Sequence, residues 1–139
     1  MPKNKNEDVW LDPKTGLMWQ VKIDKEKLLW VETVSYVERL NQFNYGGYND
    51  WRVPTRHELE TLNTRKGHIS TDSRNLVLFI KKPLLHSMNY EHQSFWTSSQ
   101  ADENEDGRSR AFLVNFLSAK SMKHSGYINY PKYARCVRH

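Results

Sequence analysis

The chain has 139 residues, a net charge of +5, 37% apolar and 12% aromatic residues, and one cysteine; its mean hydropathy is -0.84. That length suits one domain, 1–139, able to fold without a disulfide or metal staple, and the aromatic content argues against a disordered chain. No apolar run approaches the roughly 20 residues of a membrane span, the opening MPKNKNEDVW lacks the apolar stretch of a signal peptide, and a lone Cys136 excludes an internal disulfide, a CxxC redox motif and a cysteine-rich zinc site.

In chain order, Val9–Leu11 reads as a short strand that ends in the turn Asp12-Pro13-Lys14-Thr15-Gly16, with Leu17, Met18, Trp19 and Val21 as its return strand. Trp30, Val34, Val37 and Leu40 fall at helical spacing and predict a helix over 30–43 with those residues as its buried stripe. Tyr45-Gly46-Gly47-Tyr48 breaks it. Trp51-Arg52-Val53 reads as extended, and Thr55-Arg56-His57-Glu58 is a capping box that opens a second helix with Leu59 and Leu62 buried. Residues 64–93 show little periodicity and read as a long loop around Leu76–Ile80. Ser94–Ser99 reads as a strand, 100–110 as a polar turn, and Ala111–Leu117 as a strand with Phe112, Val114 and Phe116 on one face. Tyr133–Arg138 alternates again, with Ala134 and Cys136 opposite Arg135. Helices followed by strands, with no repeat or linker, suggest α+β with an antiparallel sheet.

Charge has a direction along this chain. Gly107 to His139 holds seven basic residues and no Asp or Glu, whereas the first fifty residues hold seven basic and eight acidic ones. A one-sided positive field concentrates anionic ligands. The binding candidates are Lys120, Lys123, His124, Tyr127, Tyr130 and Lys132, read as one adaptable loop over 118–132, together with Arg108 and Arg110. Lysines and arginines supply charges for sulfate, phosphate or carboxylate, and tyrosines supply stacking faces. Asp102, Glu105 and Asp106 carry oxygens of the kind calcium takes, but their spacing is not that of an EF-hand loop, so a solvated hairpin tip is the simpler reading. The six histidines form no metal motif, although His86 and His92 share the irregular region. Ser98 and Ser99 are outside any GxSxG, and no phosphate loop or dinucleotide fingerprint occurs. No catalytic residue and no cofactor is therefore assigned. Trp19, Trp30, Trp51 and Trp96 are expected as core, Arg52 as the partner of an acid, Thr55 and Glu58 as helix caps, and Cys136 as a buried thiol in a strand.

Several of these blocks carry a resemblance. The run from Asp12 to Gln20 resembles the opening signature of the Lcl C-terminal domain family, which takes its name from a collagen-like bacterial surface adhesin. Trp30 and the helix after it resemble the second block, and Gly46-Gly47-Tyr48-Asn49-Asp50-Trp51-Arg52-Val53-Pro54-Thr55 with Glu58-Leu59 the most specific one. Phe95–Ser99 resembles the Trp-Ser-Ser strand and Ala134–Arg138 the closing strand. The resemblance implies a C-type-lectin-like fold, related to that of the sulfatase-modifying factors. In such a fold a small sheet joins the two termini, two helices flank it, and long loops project. It also implies export or a cell-surface location and adhesion to sulfated glycosaminoglycans. The Glu-Pro-Asn and Gln-Pro-Asp tripeptides with which C-type lectins hold calcium and sugar are absent from the chain.

Two functions are expected. The first is a non-enzymatic bacterial or phage surface module that binds a polyanionic, sulfated glycan or a protein ligand through the C-terminal basic and aromatic loops. The second is an accessory or self-assembling subunit that holds larger protein partners through the 64–93 segment, whose apolar run at 76–85 is either core or interface. Nucleic acid ranks behind both, because no recognised motif for it is present.

Overall fold

The first turn shows how local chemistry sets the architecture. The Lys14 N–H donates to Asp12 Oδ1 at 3.0 Å and the Gly16 N–H to the Asp12 carbonyl at 2.8 Å. Gly16 takes a φ of +75°, a left-handed conformation that glycine adopts without a Cβ clash. The turn folds β1 (Val9–Leu11) onto β2 (Met18–Gln20), with Trp10 opposite Trp19. The other edge of β2 pairs with β8 (Val137–Arg138), so the first and last strands share one antiparallel sheet, in the order β1-β2-β8. The computed structural model describes residues 7–23, 26–70, 76–85, 94–101, 109–117 and 124–139.

Helix α1 (Glu32–Gln42) follows, anchored at its start by the Leu29 N–H donating to Glu32 Oε1 at 2.7 Å. Its buried residues are Thr33 and Tyr36, with Val37 and Leu40 packed beside them, whereas Val34 is 61% exposed. The expected stripe is therefore rotated. Trp30 precedes the helix and is held separately, through its indole N–H to the Thr97 carbonyl at 2.9 Å, so it does not define the buried face. A 3-10 turn at Tyr45–Gly47 closes the helix. Asn41 then clamps Trp51, accepting from its backbone N–H at 2.7 Å and donating to its carbonyl at 3.0 Å. Helix α2 (Arg56–Glu60) starts in the expected capping box: the Glu58 N–H donates to Thr55 Oγ1 at 3.1 Å and the Thr55 N–H to Glu58 Oε1 at 2.9 Å.

The expected loop over 64–93 is in large part ordered structure. β3 (Asn63–Ser70) and β4 (Leu76–Ile80) form an antiparallel hairpin, and a single turn of helix, α3 (Lys82–Leu85), follows. Alternation is hidden in β3 because its register shifts between Asn63 and His68. Much of the apolar run is core, with Leu78, Ile80, Leu84 and Leu85 buried, whereas Val77 is 43% exposed and Phe79 is half-buried.

β5 (Ser94–Ala101), β6 (Arg110–Asn115) and β7 (His124–Tyr127) form the third antiparallel sheet among the described residues. β6 lies in the middle of it and is covered on both faces. Val114 packs with Phe95, Phe116, Leu59 and Leu62 on one side, and Ala111 and Leu113 pack with Trp96 on the other. Phe112, expected among the buried side chains, is only half-buried beneath Arg56. The fold class is α+β, with three small sheets in place of one and a third short helix among the described residues.

The last residues knit these parts together. Lys132 exchanges backbone hydrogen bonds with Leu28, Val137 exchanges them with Arg52, the Tyr133 carbonyl accepts from Trp96 N–H, and the Cys136 carbonyl accepts from Gln20 N–H. Arg135 corrects the alternation read from the sequence, because it is fully buried. Its guanidinium donates to the Gln20 and Val21 carbonyls and lies 5.3 Å from the Phe95 ring centroid. Cys136 is buried just before β8 rather than inside it. Trp19, Trp51 and Trp96 are buried, as expected.

Gly67 offers a sharp test of the hairpin. A Cβ placed there would stand 2.3 Å from Val77 Cγ1 and 3.0 Å from the Phe79 ring. Val77 is β-branched and stiff, so it cannot swing aside freely. Gly67→Ala is expected to destabilise by about 1–3 kcal/mol in urea unfolding, and Val77→Ala in the same chain is expected to recover most of that loss. A Gly67→Ala protein as stable as the parent would contradict this packing.

Candidate functional site

The expected binding residues that the structure describes lie on and beside β6 and β7 of the third sheet, but not as one loop. β7 divides the 118–132 segment. His124 pairs with Leu113 and Tyr127 pairs with Arg110, so residues before and after β7 join it at opposite ends, about 10 Å apart at 3.3 Å per residue. Lys120, Lys123, Arg108, Asp102, Glu105, Asp106, His86 and His92 lie outside the described residues.

Four of the expected residues can be placed in detail. Arg110 and Tyr127 are direct cross-strand partners. The Arg110 guanidinium stands 4.3 Å from the Tyr127 ring centroid and donates to its hydroxyl at 2.7 Å. A tight turn, with Tyr130 N–H donating to the Tyr127 carbonyl at 3.1 Å, brings the Tyr130 ring edge-on to Tyr127 at 5.9 Å. Tyr130 is 53% exposed. Lys132 lies apart from this group. Its Cε is 3.7 Å from where a Gly126 Cβ would stand, on the face that Gly126 shares with Leu113, whereas Arg110 and Tyr127 are one residue out of phase and face the other way.

That second face holds two residues the sequence reading left out of the site. Phe112 sits two positions from Arg110 on the same strand, and the Arg56 guanidinium lies 5.3 Å from its ring centroid. Arg56 is held in turn by Glu60 at 3.1 Å. The face is graded along the strand, from buried Val114 under α2, through half-buried Phe112 under Arg56, to Arg110 and Tyr127. The signal in the sequence is the two-residue spacing of Arg110, Phe112 and Val114. What it lacked is Arg56, which comes from a helix 54 residues earlier.

Elsewhere the ionisable groups with displaced pKa values are explained by their structural contacts. The Arg52 guanidinium forks onto Glu58 at 2.6 and 2.7 Å and holds that carboxyl below its usual range despite partial burial. Arg138 pairs with Asp50 and lies 3.9 Å from the Tyr48 ring centroid, and its hydrogen bonds keep the Asp50 carboxyl low. Burial pushes the Cys136 thiol up to about 12, and it lowers the Arg135 guanidinium. Of the seven basic residues in the C-terminal run, Arg135 therefore serves the core and Arg138 an ion pair. Among the described residues no three His, Cys, Asp or Glu side chains group as a metal would require, and no helix is long and apolar enough to cross a membrane.

The family model of the Lcl C-terminal domain matches residues 8–138. The chain belongs to the Lcl C-terminal domain family. No curated protein matches it at a significant level. The family match spans the sheet that joins the termini, the Asp50–Thr55 block and the closing segment. In this Lcl C-terminal domain the Asp50–Thr55 block is structural: Asp50 pairs with Arg138, Trp51 is buried, Arg52 pairs with Glu58 and Thr55 caps α2.

The thiol gives the test of this section. Cys136 is fully buried and its thiolate is strongly disfavoured, so alkylation is expected to proceed only through unfolding. Labelling with iodoacetamide at pH 8 should therefore follow the global unfolding rate and accelerate in urea. Labelling within minutes in native buffer would contradict the burial.

Proposed function

We propose that this protein is a non-enzymatic binding module that takes a polyanionic ligand, a sulfated glycan, on the exposed end of the β5-β6-β7 sheet. The observation that carries the reading is the Arg110, Tyr127 and Tyr130 cluster. A guanidinium presents a fork that matches sulfate and carboxylate geometry, and the exposed Tyr130 ring offers an apolar face for a sugar. Arg56 extends the row of cation and ring. Gly107 to His139 holds seven basic residues and no Asp or Glu, which adds positive charge to this part of the chain, although Asp102, Glu103, Glu105 and Asp106 stand just before it in the sequence and offset part of it. The alternative, a protein-binding surface built on the 76–85 apolar run, has less behind it, because most of that run is in the core.

Heparin is the probe. Binding is expected at low salt and should weaken as the Debye length falls from about 10 Å at 0.1 M to about 3 Å at 1 M. Arg110→Gln and Tyr130→Ala are each expected to reduce affinity about two- to fivefold, the scale of one exposed cation or ring contact. Both variants should keep the unfolding midpoint within the range of ordinary surface changes. Lys120→Gln with Lys123→Gln forms the comparison arm. If the parent binds no heparin at low salt, the reading is wrong. If only the lysine pair matters, the ligand is not on the Arg110 end.

A further inference from the structure

A cleft lies between the β1–β2 turn and the start of α3. It has a volume of about 340 Å³, and its walls come from Trp10, Pro13, Pro83 and the stems of Lys14, Lys81 and Lys82. That volume is at the small end of the roughly 300–1,000 Å³ that ligand pockets occupy. In the sequence these residues belong to the first strand, the Asp12–Gly16 turn and the 64–93 segment. We infer that this cleft is a binding site for a small aromatic carboxylate, distinct from the glycan surface on the third sheet.

The charge arrangement carries the argument. Asp12, also on the cleft, is buried, and both its oxygens are committed: Oδ1 accepts the Lys14 N–H at 3.0 Å and Oδ2 the Lys81 ammonium at 2.5 Å. Burial alone would raise this carboxyl, but the bonds from Lys81 and Lys14 overcome it and hold it low, so it stays ionised at neutral pH. Lys81 pairs with Asp12, and Lys14 and Lys82 also line the cleft, so its lysines exceed its one carboxylate by two positive charges. Lys81 is fixed in place by Asp12, with its backbone N–H on the Leu62 carbonyl at 3.0 Å. An ammonium has three donors and Asp12 takes one, so Lys81 keeps donors for an incoming anion. Lys14 and Lys82 are exposed at the rim.

The walls decide what carries the anion. An indole and two proline rings offer flat apolar surface and no acceptor for a hydroxyl group. The Thr64 hydroxyl, the remaining polar group on the cleft besides the ammonium heads and Asp12, already donates to the Lys66 carbonyl at 2.8 Å. A sugar brings several hydroxyl donors, for which the side chains of the cleft offer only the Thr64 oxygen and the Asp12 carboxylate as acceptors, whereas the three ammonium groups offer donors alone. A bare phosphate would leave the Trp10 wall unused. An aryl ring against Trp10, Pro13 and Pro83 with its carboxylate toward Lys81 uses each group present.

The test uses 1-naphthoate and its neutral counterpart 1-naphthalenemethanol, titrated into the ¹⁵N-labelled full chain. The reporters are the Trp10 indole N–H and the backbone amides of Lys14, Thr64 and Lys82. Naphthoate is expected to shift these signals saturably and to leave the Tyr127 and Tyr130 amides unmoved. The alcohol should bind about fivefold more weakly or worse, and Lys14→Gln with Lys82→Gln should weaken naphthoate about fivefold, the worth of exposed charges near 1 kcal/mol in total. Both side chains are exposed, so the double variant is expected to keep the unfolding midpoint of the parent. A parallel titration with a peptide ending in a free phenylalanine carboxylate, and with its amide, tells whether the same chemistry comes from a free acid or a peptide terminus; a response to either carboxylate supports the site. No shift at Trp10, equal binding of acid and alcohol, or full binding by the double variant would overturn the proposal.

Discussion

The closing segment, 132–138, is the constraint on which the rest depends. Seven residues near the end of a chain make backbone hydrogen bonds to Leu28, Trp96, Gln20 and Arg52, which lie in four separate parts of the sequence. Chain ends ordinarily fray. This one is fixed because its side chains are buried on both sides. Tyr133 and Val137 join the cluster around Trp19 and Phe95, while Ala134 and Cys136 join the one around Trp51 and Tyr36. Arg135 stands between them, with its charge spent on the Gln20 and Val21 carbonyls and the Phe95 ring. Gln20 completes the knot, accepting from the Cys136 N–H at 3.0 Å and donating to the Tyr36 hydroxyl at 2.6 Å. In a low dielectric each of these bonds is strengthened, and a member that lost its partner would be costly.

The two proposed sites sit at different places on this frame. With the closing segment as its spine, the molecule has a well-packed middle. On the third sheet the face that carries Val114 changes along β6 from aliphatic to cation and ring, at Phe112, Arg110 and Tyr127. At the first turn, the start of α3 is joined to β1 and β2 through the Asp12–Lys81 pair. The two places are built from different parts of the chain, and the proposals assign them different anions: a long, hydrated polymer at the Arg110, Tyr127 and Tyr130 cluster, and a single flat acid at the cleft of Lys81, Trp10 and two prolines.

Local chemistry was legible in the sequence and long-range chemistry was not. The capping box at Thr55, the turn at Asp12–Gly16 and the burial of Trp19, Trp51 and Trp96 follow from residue type and spacing within a few positions. The β3 strand was hidden by the register shift that sets Gly67 against Val77 and Phe79. Arg135 was misread because alternation places it opposite Cys136, and an arginine opposite a buried residue is ordinarily on the outside; here both sides are inside. At the binding surface, Arg110, Tyr127 and Tyr130 stood out by composition. Arg56 did not, because it reaches Phe112 from a helix that the sequence separates from the third sheet. The cleft at Trp10 was equally invisible, since Lys14 and Lys81 are brought together only by the buried Asp12.

Native-state hydrogen exchange tests the central role of the closing segment most directly. The amides of Gln20, Arg52, Trp96 and Val137 each donate into or out of that segment. They are expected to exchange only through global unfolding, with a common opening free energy equal to the one measured by urea denaturation. If Gln20, Arg52 and Val137 instead exchange through a local opening of the chain end, while Trp19 and Leu59 stay protected, the segment is a peripheral strand and not the element that holds the fold together.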